Sequence, residues 1–117
     1  MPRHLEVTTM EKTWHTENPQ NCPIVTSINI IGGKWKPAIL HMLSDGTLRF
    51  GQIRKNIPPV SQKVLTQQLR ELEADEIIER KDLSDASLKV EYSLSEKGKS
   101  LMPILDSLYA WGQENGN

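Results

Sequence analysis

Lys63, Thr66, Gln67 and Arg70 lie close together in the segment SQKVLTQQLR (residues 61–70), and at about 100° per residue they share one side of a helix. Side chains of these types reach base edges and phosphate oxygens, so the segment reads as a helix made to lie in a DNA groove. Leu65, Leu69 and Leu72 take the opposite side, and no carboxylate is expected to interrupt the polar face. Alone, the pattern also fits an ordinary solvated helix, which is the commoner case. The surrounding chain decides between them.

The net charge of -1 over 117 residues is not that of a strongly basic nucleic-acid binder, but the charges are unevenly placed. Between Gly32 and Arg70 lie seven of the fourteen basic residues (Lys34, Lys36, Arg49, Arg54, Lys55, Lys63, Arg70) and one of the fifteen acidic ones, Asp45. Local potential decides where a polyanion docks, so this middle third is the candidate contact surface. The length fits one domain that buries roughly two thirds of its unfolded surface. One cysteine excludes an intrachain disulfide. With neither an apolar run of signal-peptide length at the N-terminus nor a stretch long enough to span a bilayer, the expected location is cytoplasmic.

The elements that would position the polar face follow from periodicity and breakers. Residues 1–21 are polar and weakly patterned and read as an arm, loosely ordered or associated with a dimer partner. Ile24, Val25, Ile28 and Ile31 give a first helix that starts at Pro23 and stops at Gly32 and Gly33. A second helix, about 34–44, should bury Trp35, Ile39, Leu40 and Leu43. A short extended piece at 48–50, a brief helix over 50–56 and a rigid turn through Pro58 and Pro59 lead to the polar helix, with Ser61 as its N-cap. Residues 77–82 and 88–94 read as two strands of a hairpin. Ser95 caps a final helix, in which Pro103 implies a kink or a separate preceding turn. The expected class is α+β, mainly helical: a winged helix-turn-helix with additional N- and C-terminal dimerisation elements. Its domain would span 22–112, with the dimerisation helix at about 95–112 and a tail at 113–117.

Cys22-Pro23, IGGKWKPAIL (31–40), LRFGQIRKNIP (48–58), SQKVLTQQLRELEADEIIER (61–80) and KVEYSLSEKG (89–98), in this order, resemble the HxlR-type winged-helix transcriptional regulators of bacteria, relatives of the MarR-like regulators. The resemblance implies a homodimeric binder of double-stranded DNA. It places Ser61, Gln62, Lys63, Thr66, Gln67 and Arg70 on the recognition helix. Lys63 and Gln67 suit base edges, because Gln pairs bidentately with adenine and Lys with guanine, while Ser61, Thr66 and Arg70 suit phosphates. An intrahelical pair with Glu71 or Glu73 is an equally good account of Arg70. Arg49, Arg54 and Lys55 flank the helix and would set register on the backbone. In the wing, Lys89 ranks above Arg80 and Lys81, and Asp82 and Asp85 oppose phosphate there.

Leu101, Ile104, Leu105, Leu108 and Trp111, with Met102 and Tyr109 beside them, make an apolar arc wider than one packing face needs, so part of it should bury a second copy. A dimer of this kind would read an inverted repeat with half-sites about one DNA turn apart. Cys22 stands at the start of the first helix, where the dipole favours a thiolate. Several family members sense oxidants or electrophiles through a cysteine at this place, so the resemblance implies a switch here; a buried, inert cysteine is the alternative. Lacking the second cysteine of some members, this chain could form only an intersubunit Cys22 link, a mixed disulfide or an alkylated thiol.

Gly32-Gly33-Lys34 lacks the rest of a phosphate loop, and His4, His15, His41 and Cys22 do not have metal-ligand spacing, so no cofactor and no metal are expected. No nucleophile, base and orienting group fall together, which argues against an enzyme. The main rival is a winged-helix protein-interaction module without DNA binding. Repression is the expected mode, by blocking polymerase.

Overall fold

A computed structural model of the chain describes residues 22–57, 59–83 and 90–116. The 1–21 arm, Pro58 and the hairpin tip with Asp85 and Lys89 lie outside them. The chain divides into two compact units at Gly32/Gly33.

In the first unit, α1 (Pro23–Ile31) begins with Pro23, whose missing N–H is harmless in a first turn. It stops at Gly32, where a Cβ would meet the Ile28 carbonyl oxygen at 2.5 Å. Ile31 is buried, while Ile24 and Ile28 are exposed.

The second unit begins at Gly33, whose φ of +104° is a region L side chains rarely adopt. It runs α2 (Lys36–Leu43), β1 (Leu48–Arg49), α3 (Phe50–Lys55), α4 (Gln62–Ala74), β2 (Ile78–Asp82), β3 (Val90–Leu94), α5 (Glu96–Lys99) and α6 (Met102–Asn115). Ile39, Leu40, Ile53, Leu65, Leu69, Leu72 and Ile77 are almost completely buried, so helices α2, α3 and α4 and the start of the sheet share one core. Ile39, Leu40 and Leu43 are buried as their spacing predicts, but Trp35 is only half-buried. It ends up outside α2, with the Lys34 ammonium 5.1 Å from its ring centroid.

The sheet has three antiparallel strands in the order β1-β3-β2, rather than the hairpin alone. Leu48 pairs with Tyr92 and Arg49 with Glu91, while Ile78 to Asp82 pair with Leu94 to Val90. Tyr92 and Leu94, two residues apart on β3, are buried on one face of the sheet.

The exit from α4 fixes where the wing starts. Asp75 is the C-cap and Glu76 takes φ 63°, so that the Glu76 amide bonds the Glu73 carbonyl and the Ile77 amide the Leu72 carbonyl, both at 2.9 Å. This is a Schellman closure with glutamate where glycine is usual. Buried Leu72 and Ile77 supply its apolar contact. The Ser95 hydroxyl faces the carbonyls of Glu76 (2.6 Å) and Ile77 (3.0 Å) and accepts the Gly98 amide at 2.9 Å. Ser95 is therefore an N-cap, but of the short α5. Pro103 then falls in the first turn of α6, so no kink is needed. Among the described residues no helix is long and apolar enough to cross a membrane.

Candidate nucleic-acid interface

Helix α4 is built to be rigid on one side and available on the other. Ser61 precedes it in an extended conformation, and its hydroxyl accepts the Val64 amide at 3.1 Å, satisfying one orphan donor of the first turn. Leu65, Leu69 and Leu72 anchor the inner side at no more than 1% exposure. On the outer side Gln62, Lys63, Gln67 and Arg70 are exposed and Thr66 is half-buried. Gln62, Lys63, Thr66, Gln67 and Arg70 line one open groove, as their spacing predicts.

Glu71 lines the same groove, which corrects the expectation of an acid-free face. Its carboxylate is not free to repel a polyanion. Oε1 lies 2.6 Å from Lys36 Nζ and Oε2 accepts from Gln67 Nε2 at 3.3 Å. Hydrogen bonding to the Lys36 ammonium and attraction by its charge, with a smaller contribution from Gln67, hold the Glu71 carboxyl below the usual glutamate range despite partial desolvation. Lys36, counted from the sequence among the surface cations, is 5% exposed and belongs to this interhelical pair. Its place on the α2 face of Ile39, Leu40 and Leu43, three, four and seven residues on, was the available signal.

Arg54, Lys55 and Gln62 line a second depression where α3 approaches α4, so these two cations do flank the polar helix. Arg49 is exposed at the N-cap of α3, in register with Glu91 on β3, which tempers its local potential. Arg70 shares a cleft with Thr66, Glu73, Arg80 and Tyr92, bringing the polar helix next to strand β2. Among the described residues Arg70 makes no ion pair with Glu71 or Glu73.

Two further features belong to other elements. On α6, Ile104, Leu108, Tyr109 and Trp111 are exposed by 55–65%, whereas Leu105 is buried within the protomer and Leu101 is half-buried. The Tyr109 ring stacks on His41 of α2 with centroids 5.3 Å apart. Cys22 is the N-cap residue of α1 and is buried, at 5% exposure; its carbonyl accepts the amide (3.0 Å) and the hydroxyl (3.3 Å) of Thr26.

A short helix, a tight turn and a capped, leucine-anchored second helix, followed by an antiparallel sheet, define a winged helix-turn-helix protein. Residues 30–117 match the HxlR-like helix-turn-helix family, and the chain belongs to it. It is 47% identical over 96 residues to an HTH-type transcriptional regulator of Methanothermobacter thermautotrophicus, covering 82% of this chain and 73% of that protein. The HTH-type transcriptional regulator YodB of Bacillus subtilis is 40% identical over 94 residues, 80% of this chain and 84% of its own. The redox regulator HypR in its reduced form superposes with a TM-score of 0.78 at 42% identity, over 80% of this chain and 93% of that one. A quinone-bound structure of YodB superposes with a TM-score of 0.69 at 38% identity, over 80% and 98% of the two chains. The protein is thus a transcriptional regulator of the helix-turn-helix type.

Proposed function

We propose that this regulator binds an inverted-repeat operator in double-stranded DNA as a cytoplasmic homodimer and represses transcription there. The observation that carries this is the solvent face of α4, where Lys63, Thr66, Gln67 and Arg70 line one groove on a helix held by three buried leucines. Lys63 and Gln67 read base edges; Ser61, Thr66, Arg70 and, from the flank, Arg49, Arg54 and Lys55 hold phosphates. Two copies of the exposed α6 stripe bury one another and set the half-site spacing.

Selection of bound fragments from random DNA, followed by titration of the winning site with salt, tests this. An inverted repeat should emerge, and affinity should fall by roughly a thousandfold or more between about 50 and 200 mM salt if the dimer makes six or more phosphate contacts. A flat salt response would sink the DNA assignment and favour the protein-interaction module.

Cys22 is the second element of the proposal, as the site where an oxidant or electrophile releases the operator. It is supported by the likeness to a redox regulator and to a quinone-bound relative. The burial of Cys22 requires a local opening before the thiol reacts. Diamide or a quinone should weaken operator binding by wild type and leave Cys22→Ser unaffected, with any intersubunit disulfide visible on a non-reducing gel. Equal loss of binding by both proteins would remove Cys22 from the mechanism.

A further inference from the structure

The groove on α4 contains a feature that base contact alone does not explain: a carboxylate inside the polar face, with each oxygen bonded to a different partner. Lys36 approaches from the first turn of α2, buried to 5% exposure, and lysines are almost never buried unless paired. Its charge fixes Glu71 Oε1 at 2.6 Å. Glu71 is four residues beyond Gln67 on the same helix, within reach of its side chain, and Oε2 accepts from Gln67 Nε2 at 3.3 Å.

We propose that Lys36 and Glu71 form a positioning relay that fixes the Gln67 amide for base reading. A carboxylate can only accept hydrogen bonds, so it selects the amide nitrogen of Gln67 and turns the amide oxygen away. An untethered glutamine presents oxygen and nitrogen in either order. The tethered one keeps its oxygen and its second N–H free in a set order, which is the acceptor and donor pair that a bidentate contact with adenine uses. Holding the side chain before DNA arrives also lowers the ordering entropy lost on binding. Lys36 does two things here: it keeps Glu71 ionised and in place, and it offsets a negative charge that would otherwise face phosphates. Neither residue needs to touch DNA.

This inference rests on α4 being the DNA-reading helix, so its test separates the two. Random-library selection is run on wild type, Gln67→Ala, the pair-deleted Lys36→Met/Glu71→Leu, and Lys36→Met/Glu71→Gln, which keeps a polar side chain of the same length but neither the charge nor the anchor. Removing both charges together avoids stranding a buried ammonium. Gln67→Ala should lose the base preference at one position per half-site. The pair-deleted variant should lose about tenfold in preference at that same position, with other positions and non-specific affinity kept, and Lys36→Met/Glu71→Gln should lose as much, because an unanchored amide donates as readily as it accepts; full preference in it would overturn the relay. A fold defect would lower all positions alike. If the pair-deleted variant fails to fold, Glu71→Asp serves instead: it keeps a carboxylate for Lys36 but draws it back from Gln67, and should show the same local loss. Full preference in the pair-deleted variant, or in Glu71→Asp where that variant stands in, overturns the relay alone. So does a Gln67→Ala profile identical to wild type. Absence of any sequence preference in wild type overturns the DNA reading and the relay with it.

Discussion

Leu108→Glu is expected to leave a folded monomer whose affinity for the operator is lower by about 10²- to 10⁴-fold, the advantage that linking two half-site readers ordinarily confers. Helix α6 exposes Ile104 and Leu108 at 56% each and Trp111 at 65%, at spacings of four and three, so they form one stripe along the helix. Leu105, in between, faces the other way and is 7% exposed. The helix thus secures itself to its own protomer through one side and leaves a second apolar side open. Contiguous apolar patches rimmed by polar residues mark association surfaces, and large aromatic anchors such as Trp dominate them energetically. A glutamate near the middle of the stripe would have to be buried unpaired in a dimer, which is strongly unfavourable, but stays wet in a monomer. Sedimentation should therefore show the monomer, with the circular dichroism of a folded protomer and a thermal transition that is lowered by loss of the dimer and no longer depends on protein concentration. Leu108→Ala should fall between. A Leu108→Glu protein that sediments as a dimer would place the interface elsewhere.

How far the sequence discloses this molecule depends on whether the controlling interaction is local. Ser61 capping α4, Pro23 and Pro103 in first turns, and the stop at Gly32 are each decided within a few residues, and the chain shows them directly. Strand β1 is different: two residues give no alternation, and its place is set by pairing with residues more than forty positions away. Trp35 is expected in the core because large aromatics usually are, yet α2 starts one residue later and Trp35 rests half-exposed beside Lys34.

The polar surface of α4 repeats the pattern. Its polar face is readable as periodicity alone, and α4 presents it. The reading of an acid-free face stops at Arg70, but a helix face continues in steps of three and four, and Glu71 is the next residue. Gln67 therefore meets Glu71 across one turn. What no local pattern can show is the partner: Lys36 lies on another helix, and only tertiary packing converts it from a cation of the surface into the anchor of Glu71. Counting charges along the chain overstates the basic surface by this residue.

The second large effect is expected at Gly98. A Cβ built there would lie 2.1 Å from the carbonyl oxygen of Ile77, far inside contact distance, and the obstacle is backbone that cannot rotate aside. That carbonyl is already held in place, accepting the Ser95 amide at 3.0 Å, and it follows the left-handed Glu76 that closes α4. Gly98→Ala must therefore push α5 away from the start of β2, disturbing at once the α4 exit, the Ser95 cap and the origin of the wing. Overpacking of this kind destabilises by about 1–3 kcal/mol, and a fixed backbone obstacle puts Gly98→Ala near the upper end. For a domain of this size that lowers Tm by roughly 10 °C or more. Gly51→Ala is the matched control: α3 has open space around that position, with nothing within 4 Å of an added Cβ. There the methyl removes backbone freedom from the unfolded chain and should raise stability by up to about 0.5–1 kcal/mol. The two substitutions are chemically identical and should move Tm in opposite directions. A Gly98→Ala transition close to that of wild type would mean that the α5–β2 contact can yield. The wing would then not be held rigidly to the end of α4.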